Sequence, residues 1–371
     1  MISYVIPTKD RPGRLASTLA AIGSLGDHAG LGGAEVVVVD NASSAVVRTP
    51  AVLASGVPVR VVRSSANLGA AGRNLGVSAC DGRSGWVVML DDDSHPVDLG
   101  LTDALRDAGP GVAAVAAEVL VADGRGLISG RERGGLPEVF IGCGAALRRE
   151  VFERLGGYDV GMGYYAEEYD LAARMLLSGY RVAFDGRFRV AHHREPARRD
   201  INLTVRRLVR NNGWIARRYT PAADLRRRSI VERRRYREIA RREGGLAGYA
   251  AGLAELRRTL ALQRRVEMSA EIDDRFTGLA YAREALGAAW SRTRFRSAEL
   301  IDHGKHAWVV ARVLDELGVS VRAGGEARVI ATMSPGPMMD ALERRRASGE
   351  SVIAPWEYAE RHAGGPARRA A

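Results

Sequence analysis

Three consecutive carboxylates, Asp91, Asp92 and Asp93, are the residues in this sequence whose types and spacing most directly suggest chemistry. They follow residues 86–90, an apolar run that predicts a buried β-strand. Adjacent carboxylates repel one another unless a cation lies between them. Hard oxygen ligands suit Mg²⁺ or Mn²⁺, ions that usually also bind substrate phosphates. A solvated acidic loop or a helix cap would explain the same residues without an ion, so both interpretations stay open here.

A second acidic pair, Glu167 and Glu168, precedes a stretch that predicts a helix over residues 170–178. Carboxylates ahead of a helix complement its dipole, which alone could account for them. Near a metal-bound leaving group, such a carboxylate could instead take the proton of an attacking hydroxyl as a general base. His192 follows the last predicted strand and offers an imidazole, which also binds Mn²⁺-like ions, although a single histidine there is more often packed or exposed.

A glycine-rich stretch, residues 67–76, offers a third polar site. Glycines at positions 69, 72 and 76 allow the backbone to approach a ligand closely, and Arg73 supplies a cation. The stretch is neither GxGxxG nor GxxxxGK[ST], so its pattern does not by itself identify a phosphate site.

Short apolar runs alternate with helical patterns through the first 200 residues. This alternation predicts a mostly parallel sheet with helices on both faces, in which ligands bind outside the carboxyl ends of the strands. Polar clusters follow four of the predicted strands and should converge on one edge of the sheet; they are residues 8–11, 40–41, 91–93 and 192–193.

These clusters together resemble family 2 of the glycosyltransferases, inverting enzymes of the GT-A fold, over residues 1–200. The order and separations of the motifs fit that family. The matching segments are VIPTKDR at 5–11, VVDNAS at 38–43, NLGAAGRNLG at 67–76, DDD at 91–93, GGYD at 156–159, EEYDLAAR at 167–174, GYR at 179–181 and His192. Two positions depart from the family pattern: Asp10 replaces the commoner Asn, and Glu168 replaces the usual Asp of a Glu-Asp pair.

The resemblance implies a role for each matching residue. An α-linked nucleotide-diphosphate sugar, of UDP or dTDP type, would lie across the strand ends, and Mn²⁺ or Mg²⁺ would bind its phosphates. Glu168 would be the catalytic base, with Glu167 as the alternative because the longer side chain makes the register uncertain. The implied metal ligands are Asp91, Asp93 and His192. The implied donor-binding residues are Pro7, Thr8, Asp10, Arg11, Asp40, Asn41, Asn67, Gly69, Arg73, Asp91 and Asp92.

The net charge of +11 divides unevenly along the chain. Residues 1–205 carry a net charge of −2, and residues 206–371 carry +13. We therefore predict a nucleotide-sugar-binding catalytic domain over 1–205. An Arg-rich helical extension with a small α/β piece should follow over 206–371, with an acceptor, partner or oligomer role. His303, Lys305 and His306 in that piece are expected at the surface.

Three interpretations of the arginines in residues 206–242 compete. They could be solvated helix faces, a peripheral membrane contact for a lipid-linked acceptor, or a site for an anionic partner. No recognition motif accompanies them, so we expect no specific nucleic-acid binding. The two cysteines form no disulfide framework, and no apolar run is long enough to span a membrane. We expect a cytoplasmic or membrane-peripheral protein, with homo-oligomerisation left open.

Two other functions compete with transfer to a hydroxyl acceptor of a glycan, a lipid-linked glycan or a natural product. A sugar nucleotidyltransferase would need a glycine-rich N-terminal signature, of which residues 8–13 are a poor version, and would leave the 167–174 motif unexplained. A non-catalytic Arg-rich binding protein on a transferase fold would not need the intact acidic clusters.

Overall fold

The structure, a computed structural model, describes residues 1–123, 126–194 and 200–357. Within these residues, nine strands form one mixed sheet in the first part of the chain. The strands are β1 Ile2–Thr8, β2 Ala34–Asp40, β3 Val59–Arg63, β4 Trp86–Met89, β5 Ser94–Pro96, β6 Val112–Ala122, β7 Ile128–Arg131, β8 Ala145–Arg148 and β9 Arg181–His193. The helices are α1 Pro12–Gly23, α2 Gly72–Ser78, α3 Gly100–Asp107, α4 Arg149–Arg154 and α5 Glu167–Leu177.

The strands run in the order β3-β2-β1-β4-β8-β6-β9-β5, with β7 on β6. The first four are mutually parallel, and β6 pairs with β9 in parallel. β8 lies between β4 and β6 and is antiparallel to both. Among the described residues, no helix separates β6 from β8 in the chain, and neighbouring strands need a long crossover connection only when they are parallel. The α/β class expected from the sequence is confirmed, and the sheet contains antiparallel pairs that the alternating pattern did not show.

The central strands are buried on both faces. Every residue of β1 and β2 is buried, which explains why both read as nearly continuous apolar runs rather than alternating ones. Both strands end in polar residues, Thr8 and Asp40, paired in register at the carboxyl edge. The sheet therefore brings its polar strand ends to one edge.

Helix α5 begins at Glu167, three residues earlier than predicted. Its N-cap residue is Ala166, which makes no side-chain cap and has a left-handed backbone, so no capping signal marked the start. The acidic pair consequently lies in the first helical turn. Residues 112–122 form one continuous strand, β6, and residues 181–193 form another, β9.

The second part of the chain is mostly helical and ends in a small α/β unit, as expected. Its helices are α6 Ile201–Tyr219, α7 Ala222–Glu243, α8 Leu246–Thr259, α9 Ala270–Thr277, α10 Leu279–Thr293, α11 Ala307–Glu316 and α12 Pro335–Ala347. Three parallel strands, β10 Ser297–Ile301, β11 Ser320–Val321 and β12 Ala327–Ile330, form the second sheet. Gly278, which has a φ of 88°, turns the chain between α9 and α10.

The two parts share one hydrophobic core. The predicted boundary after residue 205 falls inside α6, and Trp214, Ile215 and Tyr219 of that helix belong to the same buried cluster as Leu171 of α5. The division into domains stays a prediction, and its C-terminal 14 residues lie outside the described ones. In the described ranges, no helix is both long enough and apolar enough to cross a lipid bilayer.

Candidate active site

The three aspartates that follow β4 each contact a different set of groups. Asp91 accepts a hydrogen bond from the buried guanidinium of Arg73. Asp92 accepts from the Thr8 hydroxyl at 2.8 Å and from Arg11 at 2.5 Å. Asp93 accepts from the other guanidinium nitrogen of Arg11 at 2.5 Å. Arg11 thus bridges two of the carboxylates, which relieves the repulsion that their adjacency creates.

Asp92 and Asp93 are both buried, but their pKa values shift in opposite directions. Burial raises the pKa of Asp92 to about 7, even though Arg11 and Thr8 oppose the shift. Burial also acts to raise the pKa of Asp93, but hydrogen bonds and charge from His192 and Arg11 lower it to about 2. Asp93 is therefore the more firmly ionised of the two carboxylates.

His192 is oriented by a carboxylate that the sequence did not suggest. Its Nδ1 lies 2.8 Å from Glu132 Oε1, and its Nε2 lies 3.4 Å from Asp93 Oδ1. When the ring is neutral and its Nδ1–H donates a hydrogen bond to Glu132, the Nε2 lone pair is available to bind a metal, an arrangement common behind metal-bound histidines. Ligand atoms of His192, Asp91 and the Cys143 thiol all lie within 4.8 Å of one another.

This donor set fits a divalent ion. Asp91 and His192 lie together, as the family resemblance implied, and Cys143 joins them. Asp93 lies 3.4 Å from His192 but forms its ion pair with Arg11. A carboxylate and an imidazole suit Mn²⁺, and the thiol is a softer ligand. Glu132 and Cys143 were not recognised from the sequence, because each lies in a segment with no motif.

The glycine-rich stretch, residues 67–76, packs against the loop before α5 and is hydrogen-bonded to it. Gly69 has a φ of 63°, and a Cβ there would lie 2.5 Å from the carbonyl oxygen of Gly163. The backbone N–H of Ala70 donates to that carbonyl at 2.8 Å. Asn41 secures the other side, donating to the Gly69 carbonyl at 2.9 Å and accepting from Leu68 N–H. Only glycine permits this close approach.

The remaining predicted donor-binding residues lie along the same edge, with Pro7 the buried penultimate residue of β1. Asp40 is buried and lies 3.3 Å from Arg63. Asp10 is more exposed and accepts from the Ser44 backbone N–H, which lowers its pKa. Asn67 is exposed and accepts from Gly69 N–H at 3.0 Å. Among the described residues, no side-chain hydrogen bond or ion pair joins Asp10, Asp40 or Asn67 to Asp91, Asp92 or Asp93.

The acidic pair is held in place by the helical extension. Tyr165 and Ala166, directly before the pair, both have left-handed φ values of 74° and 67°. The fully buried Asn211 of α6 donates its amide hydrogens to the carbonyls of Met162, Tyr164 and Tyr165 at 3.1, 3.0 and 2.6 Å. Its amide thereby stabilises a loop whose backbone is otherwise unfavourable.

A second contact from α6 fixes the first turns of α5. Asp170, which is almost wholly buried, accepts from the Tyr219 hydroxyl at 2.6 Å and from Arg218 at 2.7 Å. On its own helix, Asp170 also accepts from Arg174 at 2.8 Å. The extension therefore orients the helix that carries Glu167 and Glu168.

The two glutamates differ in their surroundings. Burial and the charge of Glu168 raise the pKa of Glu167 well above its usual range, with Arg73 opposing the shift. Burial also raises the pKa of Glu168, but Lys305, Arg73 and a hydrogen bond from Glu167 oppose it. Each has one buried carboxylate oxygen without a hydrogen-bond partner among the described residues. The pKa of Glu167 is therefore raised further than that of Glu168.

Lys305 lies against this helix rather than at the surface. Its ammonium donates to the Tyr169 hydroxyl and lies 3.9 Å from the centre of that ring. Burial and the charge of Arg235 lower the pKa of Lys305 to about 7. His306 is also enclosed, with Nδ1 3.0 Å from the Thr277 carbonyl. Of the three residues expected at the surface, only His303 is exposed.

The edge of the sheet thus brings together carboxylates, an oriented imidazole, a glycine-rich loop and a pair of glutamates, of which Glu167 is buried and Glu168 half-buried. Residues 3–127 match the family model described as glycosyl transferase family 2. The match confirms the resemblance over about a third of the chain, including the segments with Thr8, Asp40, Arg73 and Asp91. No curated protein matches the chain.

Several solved structures resemble the chain in part. GalNAc-T7 with UDP, GalNAc and Mn²⁺ is 16% identical with a TM-score of 0.44, covering 59% of this chain and 48% of that one. S. aureus TarS 1–349 is 14% identical (TM-score 0.43, 58% and 64% covered). The mannosyltransferase PcManGT from Pyrobaculum calidifontis, with GDP-Man and Mn²⁺, is 18% identical (TM-score 0.43, 85% and 86% covered). The chain spans about half the length of GalNAc-T7 and under two thirds of TarS 1–349.

Proposed function

We propose that this protein is a metal-dependent, inverting glycosyltransferase. It moves a sugar from a nucleotide-diphosphate sugar, of UDP or dTDP type, to a hydroxyl of a glycan, a lipid-linked glycan or a natural product. One observation carries the proposal: Asp91 and an oriented His192 lie at the sheet edge close to Glu167 and Glu168, whose pKa values are both raised. Paired acidic groups of unequal pKa beside a metal-binding cluster are typical of catalytic sites.

The donor lies across the carboxyl ends of β1, β2 and β4. Asp40 and Asn41, at the end of β2, contact the nucleoside together with Thr8 and Asp10. Asn67 and Gly69 allow the loop backbone to approach the donor, and Pro7 shapes the floor. Arg73, Arg11 and Asp92 face the phosphates, where the two guanidiniums offset the charge of the donor. In support, several of these residues bond one another in the structure: Thr8 and Arg11 donate to Asp92, Asn41 donates to the Gly69 carbonyl, and Arg73 donates to Asp91.

Asp91, Asp93 and His192 would hold Mn²⁺ or Mg²⁺. Glu132 orients His192 by accepting from Nδ1, which keeps Nε2 directed at the aspartates. When bound, the ion stabilises the negative charge that develops on the departing nucleoside diphosphate. Arg11, which pairs with Asp93 in the structure, would then transfer its contact to the donor phosphates.

Glu168 acts as the general base. It accepts the proton of the acceptor hydroxyl while the acceptor oxygen attacks the anomeric carbon and the bond to the phosphate oxygen breaks. Attack from the face opposite the leaving group inverts the anomeric centre and gives a β product from an α-linked donor. Glu167, whose pKa is raised further, stays protonated and donates to Glu168.

A thermal-shift panel of nucleotide sugars, with and without Mn²⁺, tests the donor site. The cognate donor should raise the melting temperature, and more so with Mn²⁺, because it binds only the folded chain. Asp91→Asn and His192→Ala should remove the metal-dependent part of the shift. Metal-independent stabilisation of equal size in the parent would contradict the assignment of the ligands.

A donor-hydrolysis and transfer assay tests the base. Glu168→Gln should lose transfer while retaining the donor-induced thermal shift, because the variant keeps its shape but cannot accept a proton. Loss in Glu167→Gln with retention in Glu168→Gln would move the base by one residue. Donor binding with neither hydrolysis nor transfer in the parent would favour a non-catalytic protein.

A further inference from the structure

Two cavities meet in the helical extension beside α5. The first, about 80 Å³, lies between α5, α6, α7, α9 and the segment before α11. The second, about 150 Å³, lies between α6, α7 and α8. Asn212, Ala216 and Glu232 line both cavities, so the two chambers adjoin along one side of α6.

The first cavity adjoins α5 directly after the glutamate pair. Arg73 acts on the charges of both glutamates, and Lys305, which lines this cavity, acts on that of Glu168. Tyr169, the next residue of α5, also forms part of the wall. An acceptor bound in this cavity would therefore lie next to the segment of α5 that carries Glu168.

Lys305 differs from the arginines of this first cavity in having no close ion pair, although the charges of Glu232 and Glu168 act on it. Arg227 and Arg228 lie 5.5 and 5.1 Å from the Trp308 ring, and both contact Asp224. No carboxylate oxygen of the described residues lies within 4.0 Å of the Lys305 ammonium. The ammonium contacts the hydroxyl and the ring of Tyr169 instead. Burial and Arg235 lower its pKa to about 7, and a bound anion would stabilise its charged form.

The second cavity has a mainly apolar surface. Four leucines line it, Leu225, Leu253, Leu256 and Leu260, together with polar residues that include Asn212, Ser229 and Glu232. An apolar cavity of this volume can take a benzene-sized group, which corresponds to a short length of hydrocarbon.

We propose that the two cavities form one acceptor site, which takes an amphiphile with its phosphate at Lys305 and its hydrocarbon chain among α6, α7 and α8. The inference deepens the proposed function by naming the class of acceptor, a hydroxylated head group joined through phosphate to a hydrocarbon chain. Charge complementarity at Lys305 and the continuous apolar lining beyond it are the two features that specify this class.

Binding of decyl phosphate, measured by calorimetry below its micellar concentration without donor or metal, tests the site. We expect saturable 1:1 binding at least tenfold tighter than that of inorganic phosphate or decyl maltoside, because each of these fills one chamber only. Lys305→Met should weaken decyl phosphate binding at least tenfold and leave decyl maltoside binding unchanged. Ala216→Leu, which fills the junction between the chambers, should weaken both.

Arg237→Met provides a matched control, because Arg237 is an exposed α7 arginine that lines neither cavity. It should bind decyl phosphate like the parent. Equal weakening by Arg237→Met and Lys305→Met would show general attraction to a basic surface and overturn the site. Unchanged binding in Ala216→Leu, or binding no tighter than that of inorganic phosphate, would overturn it as well.

The nucleotide-sugar thermal shift distinguishes the two proposals. Donor binding and transfer in the parent, with no saturable binding of decyl phosphate, would refute the acceptor site and leave the transferase intact. Saturable decyl phosphate binding with no response to any nucleotide sugar would refute the transferase and retain an amphiphile-binding site. The Lys305→Met variant should keep the donor-induced shift, because Lys305 contacts none of the donor residues.

Discussion

Replacing Asn211 by leucine should destabilise the protein and misplace its catalytic base. The change keeps the number and branching of the side-chain heavy atoms but removes the amide hydrogens that bond three loop carbonyls. Met162 keeps a second donor, because Arg210 contacts the same carbonyl at 2.8 Å. The carbonyls of Tyr164 and Tyr165 lose the donors that hold them.

The size of the effect follows from those two carbonyls. A buried polar group left without its partner costs about 1–3 kcal/mol, and partial access of water to the loop favours the lower end. We therefore expect the free energy of unfolding to fall by about 2–3 kcal/mol. The left-handed backbone of Tyr165 and Ala166, unfavourable by about 1–2 kcal/mol per residue, would then relax and displace the start of α5.

Displacement of the base by about 1 Å can lower turnover on the order of 100-fold. Urea unfolding and the rate of sugar transfer measure the two effects separately. Asn212→Leu is the stability control, because that amide donates only to the Leu208 carbonyl within its own helix. Adding Ala166→Gly to the Asn211→Leu variant should restore about 1 kcal/mol, since glycine adopts a positive φ without strain. A stability within 0.5 kcal/mol of the parent for Asn211→Leu would refute the reasoning.

Three further predictions concern the metal, the base and the packing of the extension. Glu132→Gln should weaken Mn²⁺ binding about 10–100-fold in an electron paramagnetic resonance titration, and unchanged affinity would exclude Glu132 as the group that orients the histidine. Because burial raises the pKa of Glu168 above 4.5 and the base must be ionised, transfer should be lost as pH falls through that raised value. Lys305→Met should move this acidic limb to higher pH, and a parent limb at or below 4.5 would contradict the assignment. Gly248→Ala places a Cβ 2.1 Å from a backbone oxygen of α6 and should lower the free energy of unfolding by about 1–3 kcal/mol in urea denaturation. Gly287→Ala is the control, because that position has open space around it and alanine there should raise the free energy of unfolding by about 0.5–1 kcal/mol.

The sequence predicts well those parts of the site that lie at the ends of strands. Asp93 and His192 are 99 positions apart, yet His192 Nε2 lies 3.4 Å from Asp93 Oδ1. Both residues follow or end apolar strands of one sheet, and strand ends meet at a common edge. Alternating apolar runs and helical patterns are therefore enough to place these residues together, and the order of the motifs is enough to suggest the family.

Contacts that depend on tertiary packing could not be predicted. The start of α5 was placed three residues late because Ala166 has no capping side chain and its conformation depends on Asn211, 45 positions away. Glu132 lies in an irregular segment without periodicity, although it fixes the ring of a predicted metal ligand. Lys305 was expected at the surface because nothing in its neighbourhood indicates that α5 packs against it.

Part of the positive charge of residues 206–371 is explained by ion pairs within the chain. Arg218, part of the +13 extension, contacts Asp159 and Asp170 beside the base at 2.7 Å each. Arg228 contacts the buried Asp273, which links α7 to α9. These arginines neutralise acids of the chain itself, so the net charge overstates the cationic surface available to a partner. What distinguishes Lys305 is the absence of such an acid within 4.0 Å among the described residues, and a ligand phosphate would complete that pairing.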